Sequence, residues 1–329
     1  MKFGMLHLYA NPGDLSERQA IREQLELMKA AEDLDFDSVW PAEHHFSPLG
    51  YTASPAIGLA ALAAETKRIR LGTGVVVLPF SNPIRVAEDF AYLDHLSDGR
   101  VDLGIGCGAQ PGEFGPFGVD QATSRARMEE GLEIIRQAWL NGRVDAHGEF
   151  YQFDDVPVLP APVQVPHPPV WMAAVSGDSF ERAGRLGCNL LCGTVLGLNR
   201  QVAAERRESY QRGLEEGGFA AEDFFSGCLV IIYVADTTEQ ARSEFREAEG
   251  WYRNTIGRFI APESDPEDSV ICGSPEFVTQ RLGELQQTYG FSDLLCWSRL
   301  GVLSQKKVLR CMELMQHKVM PHLRDGVAA

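Results

Sequence analysis

Two adjacent histidines follow a short apolar segment near the start of the chain, in the run Trp40-Pro41-Ala42-Glu43-His44-His45-Phe46. Imidazole gains or loses a proton near neutral pH, so such a residue can act as an acid, a base or a hydrogen-bond donor to an oxyanion. Neighbours on an extended chain point in opposite directions, so His44 and His45 cannot both ligate one metal ion. Position alone leaves open which histidine faces a ligand.

Glycines interrupt two later apolar segments, residues 70–77 and 101–106. Glycine weakens a strand and often marks close approach of a ligand or another backbone, although a simple bulge is an equal alternative. Gly104, Gly106 and Ala109 fit a loose dinucleotide fingerprint. That fingerprint requires a helix directly after the loop, whereas residues 110–116 read as an irregular segment. A glycine-rich floor beneath a flat ligand is the interpretation that remains.

A cation and two hydroxyls stand at predicted helix starts. Arg125 falls in the first turn of one helix, where the helix dipole disfavours a cation unless an anion is bound nearby. Ser176 and Ser179 begin another helix, and hydroxyls so placed suit a phosphate held by Oγ and backbone N–H groups. Ordinary capping by Ser176 explains one of the two serines, and Asp178 disfavours an anion unless its side chain points away.

Short apolar strands alternate with amphipathic helices along the whole chain. The pattern predicts strands at 3–8, 38–43, 70–77, 101–106, 170–174, 189–192, 228–234 and 293–297. It predicts helices near 17–34, 55–65, 84–97, 124–141, 177–186, 199–217, 238–252 and 304–319, with an extra one near 275–289. Eight such units favour a single α/β domain over 1–329, a closed (β/α)8 barrel of the TIM type. Its active site would lie at the carboxyl ends of the strands, where the residues above fall.

Two segments interrupt the alternation. Residues 142–169 carry six prolines around a short aromatic stretch, which predicts a hairpin and an extended strap between the fourth helix and the fifth strand. Residues 253–273 contain Pro262, Pro266 and several acids, and predict a loop insertion before the eighth strand that could cover the barrel mouth.

The composition excludes several classes of protein. A formal net charge of −16 over 329 residues argues against nucleic acid or an anionic membrane as the main partner. No apolar run is long enough to span a bilayer, and the start, Met-Lys-Phe-Gly-Met, leads straight into a strand pattern. We therefore expect a cytoplasmic protein without a signal peptide or a membrane anchor. The seven cysteines are scattered and predict reduced thiols instead of a disulfide framework or a zinc site. Cys107 is more typical of a packing residue than of a nucleophile.

Taken together, these stretches resemble the bacterial-luciferase-like flavin monooxygenases, especially the short branch that contains the luciferase α subunit. The matching pieces are Glu43-His44-His45-Phe46, the run Pro83-x-Arg85-x-Ala87-Glu88 continuing to Leu93-Asp94-x-Leu96-Ser97-x-Gly99-Arg100, and Ser124-Arg125-Ala126. The resemblance covers nearly the whole chain and is dense in its first half. The combination is specific, although no single piece is.

The resemblance implies a chemistry and a set of site residues. Reduced FMN would react with O2 to give a C4a-(hydro)peroxyflavin, which oxygenates a small organic substrate, and a separate flavin reductase would supply the reduced FMN. The flavin ring would lie at the barrel mouth against a non-proline cis peptide at Gly74-Val75, with His44 as the catalytic histidine. Glu43 and His45 are the other candidate catalytic residues. The implied phosphate contacts are Arg125, Ser176 and Ser179; the other implied cofactor contacts are Ala42, Thr73, Gly106, Cys107, Gly108 and Gly177. A homodimer through the second and third helices is also implied.

The chain departs from luciferase at three places. Gly106 stands where the luciferase α subunit has its reactive cysteine, and Cys107 replaces a phosphate-binding arginine. The long mobile loop of luciferase is reduced to residues 253–273, which contain no lysine. We therefore expect a monooxygenase that emits no light.

Two other functions remain compatible with the sequence. One is a deazaflavin-dependent oxidoreductase of the same fold that transfers hydride, and the other is a flavin-binding protein without catalysis. A nicotinamide dehydrogenase is disfavoured because the glycine-rich loop does not lead into a helix. The oxygenated substrate is not specified by any motif.

Overall fold

The strands of the computed structural model form one large parallel sheet and one separate hairpin. The structure describes residues 1–11, 13, 15–47, 50–192, 200–255 and 270–324. The strands within these ranges are β1 (Lys2–His7), β2 (Ser38–Pro41), β3 (Arg70–Gly72), β4 (Val76–Val77), β5 (Val101–Gly106), β6 (Arg143–His147), β7 (Gln152–Pro157), β8 (Val170–Ala174), β9 (Asn189–Cys192), β10 (Ser226–Val234), β11 (Val270–Gly273) and β12 (Asp293–Trp297).

Helices follow the strands and cover the outside of the sheet. They are α1 (Glu17–Asp33), α2 (Pro55–Ala63), α3 (Pro83–Leu96), α4 (Pro111–Phe114), α5 (Ser124–Asn141), α6 (Gly177–Arg185), α7 (Arg200–Gly217), α8 (Thr238–Thr255), α9 (Pro275–Tyr289), α10 (Gln305–Leu314) and α11 (Met320–Arg324), with a π-helical turn at Met315–Val319 between the last two. The helices that follow the barrel strands begin near the carboxyl end of one strand and lead back towards the amino end of the next. The loops therefore lie at two opposite ends of the molecule.

The parallel sheet closes on itself and confirms the predicted (β/α)8 barrel. β1 pairs with both β2 and β12, and β9 pairs with both β8 and β10, so the described strands leave no gap in the wall. β3 and β4 together fill one position beside β5. Inside the wall, the indoles of Trp40 and Trp171 meet edge to face with ring centroids 5.4 Å apart.

The third predicted strand, residues 70–77, is interrupted at residues 73–75. There the Thr73 hydroxyl donates to the Gly104 carbonyl at 2.7 Å and accepts the Gly104 N–H at 2.9 Å. A side chain therefore replaces the backbone hydrogen bonds that would have continued the ladder, and the strand splits into β3 and β4. The predicted second strand, 38–43, likewise ends early, at Pro41.

The sequence did not predict β11. Its four residues were assigned to the loop 253–273, but they pair in parallel with the outer half of β10, from Ile231 to Val234. A segment this short carries too little apolar pattern to be distinguished from a loop. Residues 253–255 complete α8, and the predicted lid over 256–269 lies outside the described residues.

The predicted hairpin and strap at 142–169 are confirmed. β6 and β7 pair in antiparallel fashion, and the chain then runs back to β8 along the amino ends of the strands, which we call the bottom of the barrel. The fully buried carboxylate of Asp94 fixes this strap, because it accepts the N–H groups of Val163 and Gln164, each at 2.8 Å. The Gln164 side chain then donates to the Val101 carbonyl at 2.9 Å.

Not every strand glycine marks a ligand. A Cβ at Gly72 would lie 2.3 Å from the Trp40 ring, so this glycine makes room for a core indole. The seven cysteines all lie within the described residues, and none of them is joined in a disulfide. Among the helices that the structure describes, none combines the length and the apolar character needed to cross a membrane.

Candidate active site

Two loop segments meet at the carboxyl ends of the strands, which we call the mouth of the barrel. The Glu43 N–H donates to the Val75 carbonyl at 3.1 Å, and the Gly74 N–H donates to the Pro41 carbonyl at 3.0 Å. Ala42 is buried and donates its N–H to the His7 carbonyl at 2.9 Å. These bonds hold the segment that follows β2 against the segment that joins β3 to β4.

The peptide bond between Gly74 and Val75 is cis, at the position that the family resemblance implied. Val75 is half-buried, and its side chain occupies the space above Gly106 in the neighbouring strand. A Cβ on Gly106 would lie 2.7 Å from Val75 Cγ2, so a larger residue at 106 would require Val75 to move. Gly106, one of the positions at which the chain departs from luciferase, therefore leaves room at the mouth for the side chain of Val75.

The floor of the mouth continues through Cys107 and Gly108, both half-buried. Gly108 has a φ of +86°, and a Cβ there would lie 2.8 Å from the Phe114 ring. Thr73, by contrast, is fully buried, and its hydroxyl is fully engaged with Gly104. Among the predicted cofactor contacts in this region, Thr73 is therefore the residue whose side chain forms its hydrogen bonds within the barrel wall.

His44 is held by a residue that the sequence analysis did not select. Its Nδ1 lies 3.1 Å from Glu113 Oε1, and the same oxygen accepts the His45 N–H at 2.8 Å. Glu113 belongs to the short helix α4, and its side chain is only 5% exposed. The His44 side chain is 20% exposed, and no described residue hydrogen-bonds to its Nε2.

Glu113 is ionised in this arrangement. Burial alone would raise the pKa of its carboxyl group, but the hydrogen bonds from His44 and from the His45 N–H outweigh burial and lower that pKa below its usual value. One signal could have identified Glu113: the sequence around it, Pro111-Gly112-Glu113, places a proline at the first helical position and an acid in the first turn.

His45 has a different partner and different surroundings. Its Nε2 lies 2.9 Å from Glu43 Oε1, while Glu43 Oε2 accepts the Val77 N–H at 3.1 Å. The ring packs edge to face against Phe117, with centroids 4.6 Å apart, and also contacts Phe80. Glu43 and His45 therefore connect the segment after β2 to β4 and to an aromatic cluster.

The predicted phosphate residues lie on two other helices at the same end of the barrel. Arg125 is exposed in the first turn of α5 and forms no ion pair with any residue that the structure describes. Ser176 and Gly177 are exposed at the start of α6. The Ser179 hydroxyl accepts the N–H groups of Val175 and Ser176 at 3.0 and 2.9 Å, so it caps the helix.

An ion pair aligns these two helices. Arg182 Nε on α6 lies 2.6 Å from Glu129 Oε1 on α5. Both helices begin at the mouth and run away from it. Arg125 lies one turn before Glu129 on α5, and the first turn of α6 lies one turn before Arg182, so Arg125 is level with the first turn of α6. Within the described residues, no hydrogen bond or ion pair joins this group to the residues around His44.

Comparison with known proteins identifies the family. A family model described as luciferase-like monooxygenase matches residues 1–290. The chain belongs to the luciferase-like monooxygenase family. The resemblance drawn from the motifs is thereby confirmed.

Three proteins illustrate the similarity of this luciferase-like chain. The alkanal monooxygenase alpha chain of Photorhabdus luminescens is 32% identical over 357 residues, covering 99% of this chain and 98% of the relative. The oxygenase component of the flavin-dependent trigonelline monooxygenase of Acinetobacter baylyi is 29% identical over 355 residues, covering 99% and 96%. The crystal structure of the monooxygenase RslO1 from Streptomyces bottropensis superposes with a TM-score of 0.89 at 29% identity, covering 98% and 99%.

One of the motifs shared with the luciferase-like family has a structural role here. In the run from Leu93 to Arg100, Asp94 holds the strap, as described above. The Arg100 guanidinium donates to the carbonyls of Ser97 and Ile69 at 2.7 and 2.8 Å and to the Thr66 hydroxyl at 3.0 Å. This run therefore fixes the bottom of the barrel and does not contribute to the mouth.

Proposed function

We propose that this luciferase-like protein is an FMN-dependent monooxygenase that uses reduced FMN and O2 to oxygenate a small organic substrate without emitting light. The observation that carries the proposal is the mouth itself. A floor of small residues at the cis Gly74-Val75 peptide lies beside a histidine whose ring is held by a buried carboxylate. When bound, reduced FMN would supply the two electrons that allow one oxygen atom of O2 to enter the substrate and the other to leave as water.

The residues present fit FMN. Arg125 is an exposed cation without an acidic partner in the described part of the chain. The nine-residue helix α6 begins at Gly177 with exposed backbone, and an added Cβ at Gly177 would meet nothing within 4 Å. A helix amino terminus attracts a phosphate through its N–H groups and dipole, and a nearby cation strengthens that attraction. We infer that Arg125, Ser176, Gly177 and Ser179 hold the phosphate, and that Ala42, Gly74, Val75, Gly106, Cys107 and Gly108 surround the ring. The buried Thr73 would support this surface through its bonds to Gly104.

We assign the proton-transfer role at the mouth to His44. Its Nε2 is the ring nitrogen without a protein partner among the described residues, so it is free to donate to or accept from a reacting oxygen. Glu43 and His45 support this role by fixing the surrounding backbone. The partner protein would be a separate flavin reductase, a proposal supported by the trigonelline relative, which is named as an oxygenase component.

Reaction with isotopic oxygen tests the function. The protein would be mixed anaerobically with photoreduced FMN and a panel of aldehydes, ketones and sulfides, then exposed to ¹⁸O2. We expect O2 uptake and one ¹⁸O atom in a product detected by mass spectrometry. Hydride transfer from a reduced deazaflavin without O2 uptake would instead establish the deazaflavin alternative. Flavin binding without turnover of any substrate would indicate a binding protein.

We also propose a homodimer through α2 and α3. α2 buries Leu59 and Leu62 against the barrel, but Ile57 on its other side is 74% exposed. Tyr92 on the neighbouring helix α3 is 60% exposed. Large apolar side chains on adjacent helices are typical of a self-association surface. Light scattering at micromolar concentration should give twice the chain mass, and Ile57→Asp should shift it towards the monomer. A monomeric mass for the unaltered protein would contradict the proposal.

A further inference from the structure

We propose that Glu113 is a positioning residue that fixes the tautomer and ring orientation of His44, so that Nε2 is the nitrogen presented at the mouth. The proposal rests on the proton-transfer role assigned to His44 under the proposed function. No family motif in the sequence pointed to Glu113, which lies 69 positions further along the chain than His44.

The first argument is the chemistry of the acceptor. An ionised carboxylate can only accept hydrogen bonds, and the pKa of Glu113 is lowered, so this group is ionised at neutral pH. The nitrogen facing it, His44 Nδ1, must therefore carry the hydrogen. In a neutral imidazole the other nitrogen then holds the lone pair, which makes Nε2 the base.

The second argument is the geometry of the bond. A single oxygen, Glu113 Oε1, accepts from both the His44 ring and the His45 main chain, at 3.1 and 2.8 Å. The carboxylate thus fixes the ring relative to its own backbone, which a bond to the ring alone would not do. Its 5% exposure keeps water from competing for that oxygen.

The third argument is the contrast with the neighbouring histidine. The carboxylate of Glu43 faces His45 Nε2, so His45 carries its hydrogen on the opposite nitrogen from His44. Two adjacent imidazoles are therefore held in opposite tautomers by two carboxylates from different segments. The two rings are not interchangeable, and only the His44 ring has its Nε2 left available.

The fourth argument is charge. When His44 takes up a proton, its positive charge lies 3.1 Å from a carboxylate that is already ionised. The pair then becomes a charge-assisted hydrogen bond that involves no movement of the ring. Glu113 therefore holds one orientation of the His44 ring in both protonation states. An acid–base residue that takes up a proton at Nε2 and returns it from the same nitrogen requires such a fixed ring.

Nitrogen NMR of the intact protein tests the tautomer directly. With ¹⁵N-labelled histidine, the His44 signals are those lost in His44→Asn among the eight histidines. We expect an Nδ1–H ring in the unaltered protein and in Glu113→Gln, whose amide oxygen still accepts. In Glu113→Leu, which removes the acceptor, we expect the Nε2–H form to appear. Unchanged His44 ring shifts in Glu113→Leu would overturn the proposal.

Kinetics provide a second readout that a merely structural role would not move. Glu113→Leu should lower turnover about tenfold or more, as expected when an acid–base residue presents the wrong nitrogen, with FMN affinity within about twofold. Glu113→Gln keeps the tautomer but lacks the charge, so its pH–rate profile should shift while its maximal rate stays closer to that of the unaltered protein. Equal turnover and equal pH profiles in all three proteins would exclude the positioning role.

The matched control is Glu130→Leu. Glu130 is a half-buried carboxylate that, like Glu113, accepts backbone N–H groups, at 3.2 Å from Phe150 and 2.8 Å from Tyr151, but it hydrogen-bonds to no histidine. The Glu130→Leu variant should leave the ring signals of His44 and the pH–rate profile unchanged. If the unaltered protein oxygenates no substrate, the proposed function fails, while the NMR comparison still decides the role of Glu113 in holding the ring.

Discussion

The two ends of the barrel use buried charge in different ways. At the bottom, Asp102 accepts from Arg70 Nε at 2.5 Å and from Trp171 Nε1 at 3.1 Å, and Arg70 also donates to the Val101 carbonyl. At the mouth, the buried carboxylates of Glu43 and Glu113 each bond to a histidine and to a backbone N–H.

The difference lies in what each set of bonds leaves available. At the bottom the Asp102 oxygens are taken up by protein donors, so the network stabilises the fold. At the mouth the carboxylates orient groups whose far sides have no described partner, His44 Nε2 above all. Under the proposed function, buried charges therefore serve stability at one end of the barrel and chemistry at the other, as the general division of (β/α)8 barrels leads one to expect.

The largest effect that would separate the two ends is expected from His44→Ala. General acid–base residues contribute roughly 10²–10⁴-fold, so turnover should fall on that scale while FMN affinity and stability change little. Single-turnover oxidation of photoreduced FMN with product analysis measures it, and His147→Ala on the exposed hairpin is the control. Product formation at the unaltered rate would reduce His44 to a scaffold residue.

Asp102→Ala should have the opposite signature. It leaves the Trp171 N–H and the Arg70 guanidinium without their carboxylate, which should lower the free energy of unfolding by about 2–4 kcal/mol. FMN affinity of the folded protein should stay the same. Urea unfolding and fluorescence titration measure the two quantities, and Asp102→Asn, which retains an acceptor for Trp171, should lose less. Weakened FMN binding without loss of stability would contradict the comparison.

A smaller effect confined to cofactor binding is expected from Arg125→Ala. A hydrogen bond to a charged group contributes about 1.5–3 kcal/mol, so the FMN dissociation constant should rise roughly tenfold to a hundredfold. Riboflavin, which lacks the phosphate, should bind both proteins equally. The control is Arg310→Ala. Arg310 is an exposed arginine that forms an ion pair with Asp236, and both residues are far from Arg125 in the sequence. An unchanged FMN dissociation constant would remove Arg125 from the phosphate site.

The smallest effect is a pH dependence of stability. The pKa of Glu113 is lowered in the folded protein, so its ionised form contributes stability that is present above the ordinary carboxyl value of 4.5 and is lost as the pH falls below it. The difference in unfolding free energy between the unaltered protein and Glu113→Gln should therefore shrink as the pH falls below that value. Urea unfolding at a series of acidic pH values measures it; a difference that grows below the ordinary carboxyl value would show the sign to be wrong.

The fold could be predicted because its signals are local. Each barrel strand is a short buried apolar run and each long helix is amphipathic, so the predicted strand near 228–234 and helix near 124–141 agree with the structure to within two residues at each end. β11 was missed because four residues between a proline-rich acidic stretch and a helix carry no readable period. The cis bond at Gly74-Val75 was obtained from the resemblance and not from any pattern.

The site could be predicted only in part. The segment of Glu43, His44 and His45 stands out by residue type, and the structure does bring it to the mouth. The distinction between its two histidines could not be predicted, because it depends on contacts made through space. His44 owes its orientation to Glu113, which no spacing rule connects to it, whereas His45 uses a neighbour two positions away.

The hairpin of β6 and β7 has a practical consequence. It leaves the barrel where α5 ends, at the bottom, and the Asp154 side chain near its turn is 96% exposed. Because Asp94 fastens the strap that follows, a pull on the hairpin is transmitted to the bottom of the barrel and not to the mouth. The protein tethered to a bead or an electrode through position 154 would therefore stand with its mouth towards the solution, open to the proposed flavin reductase.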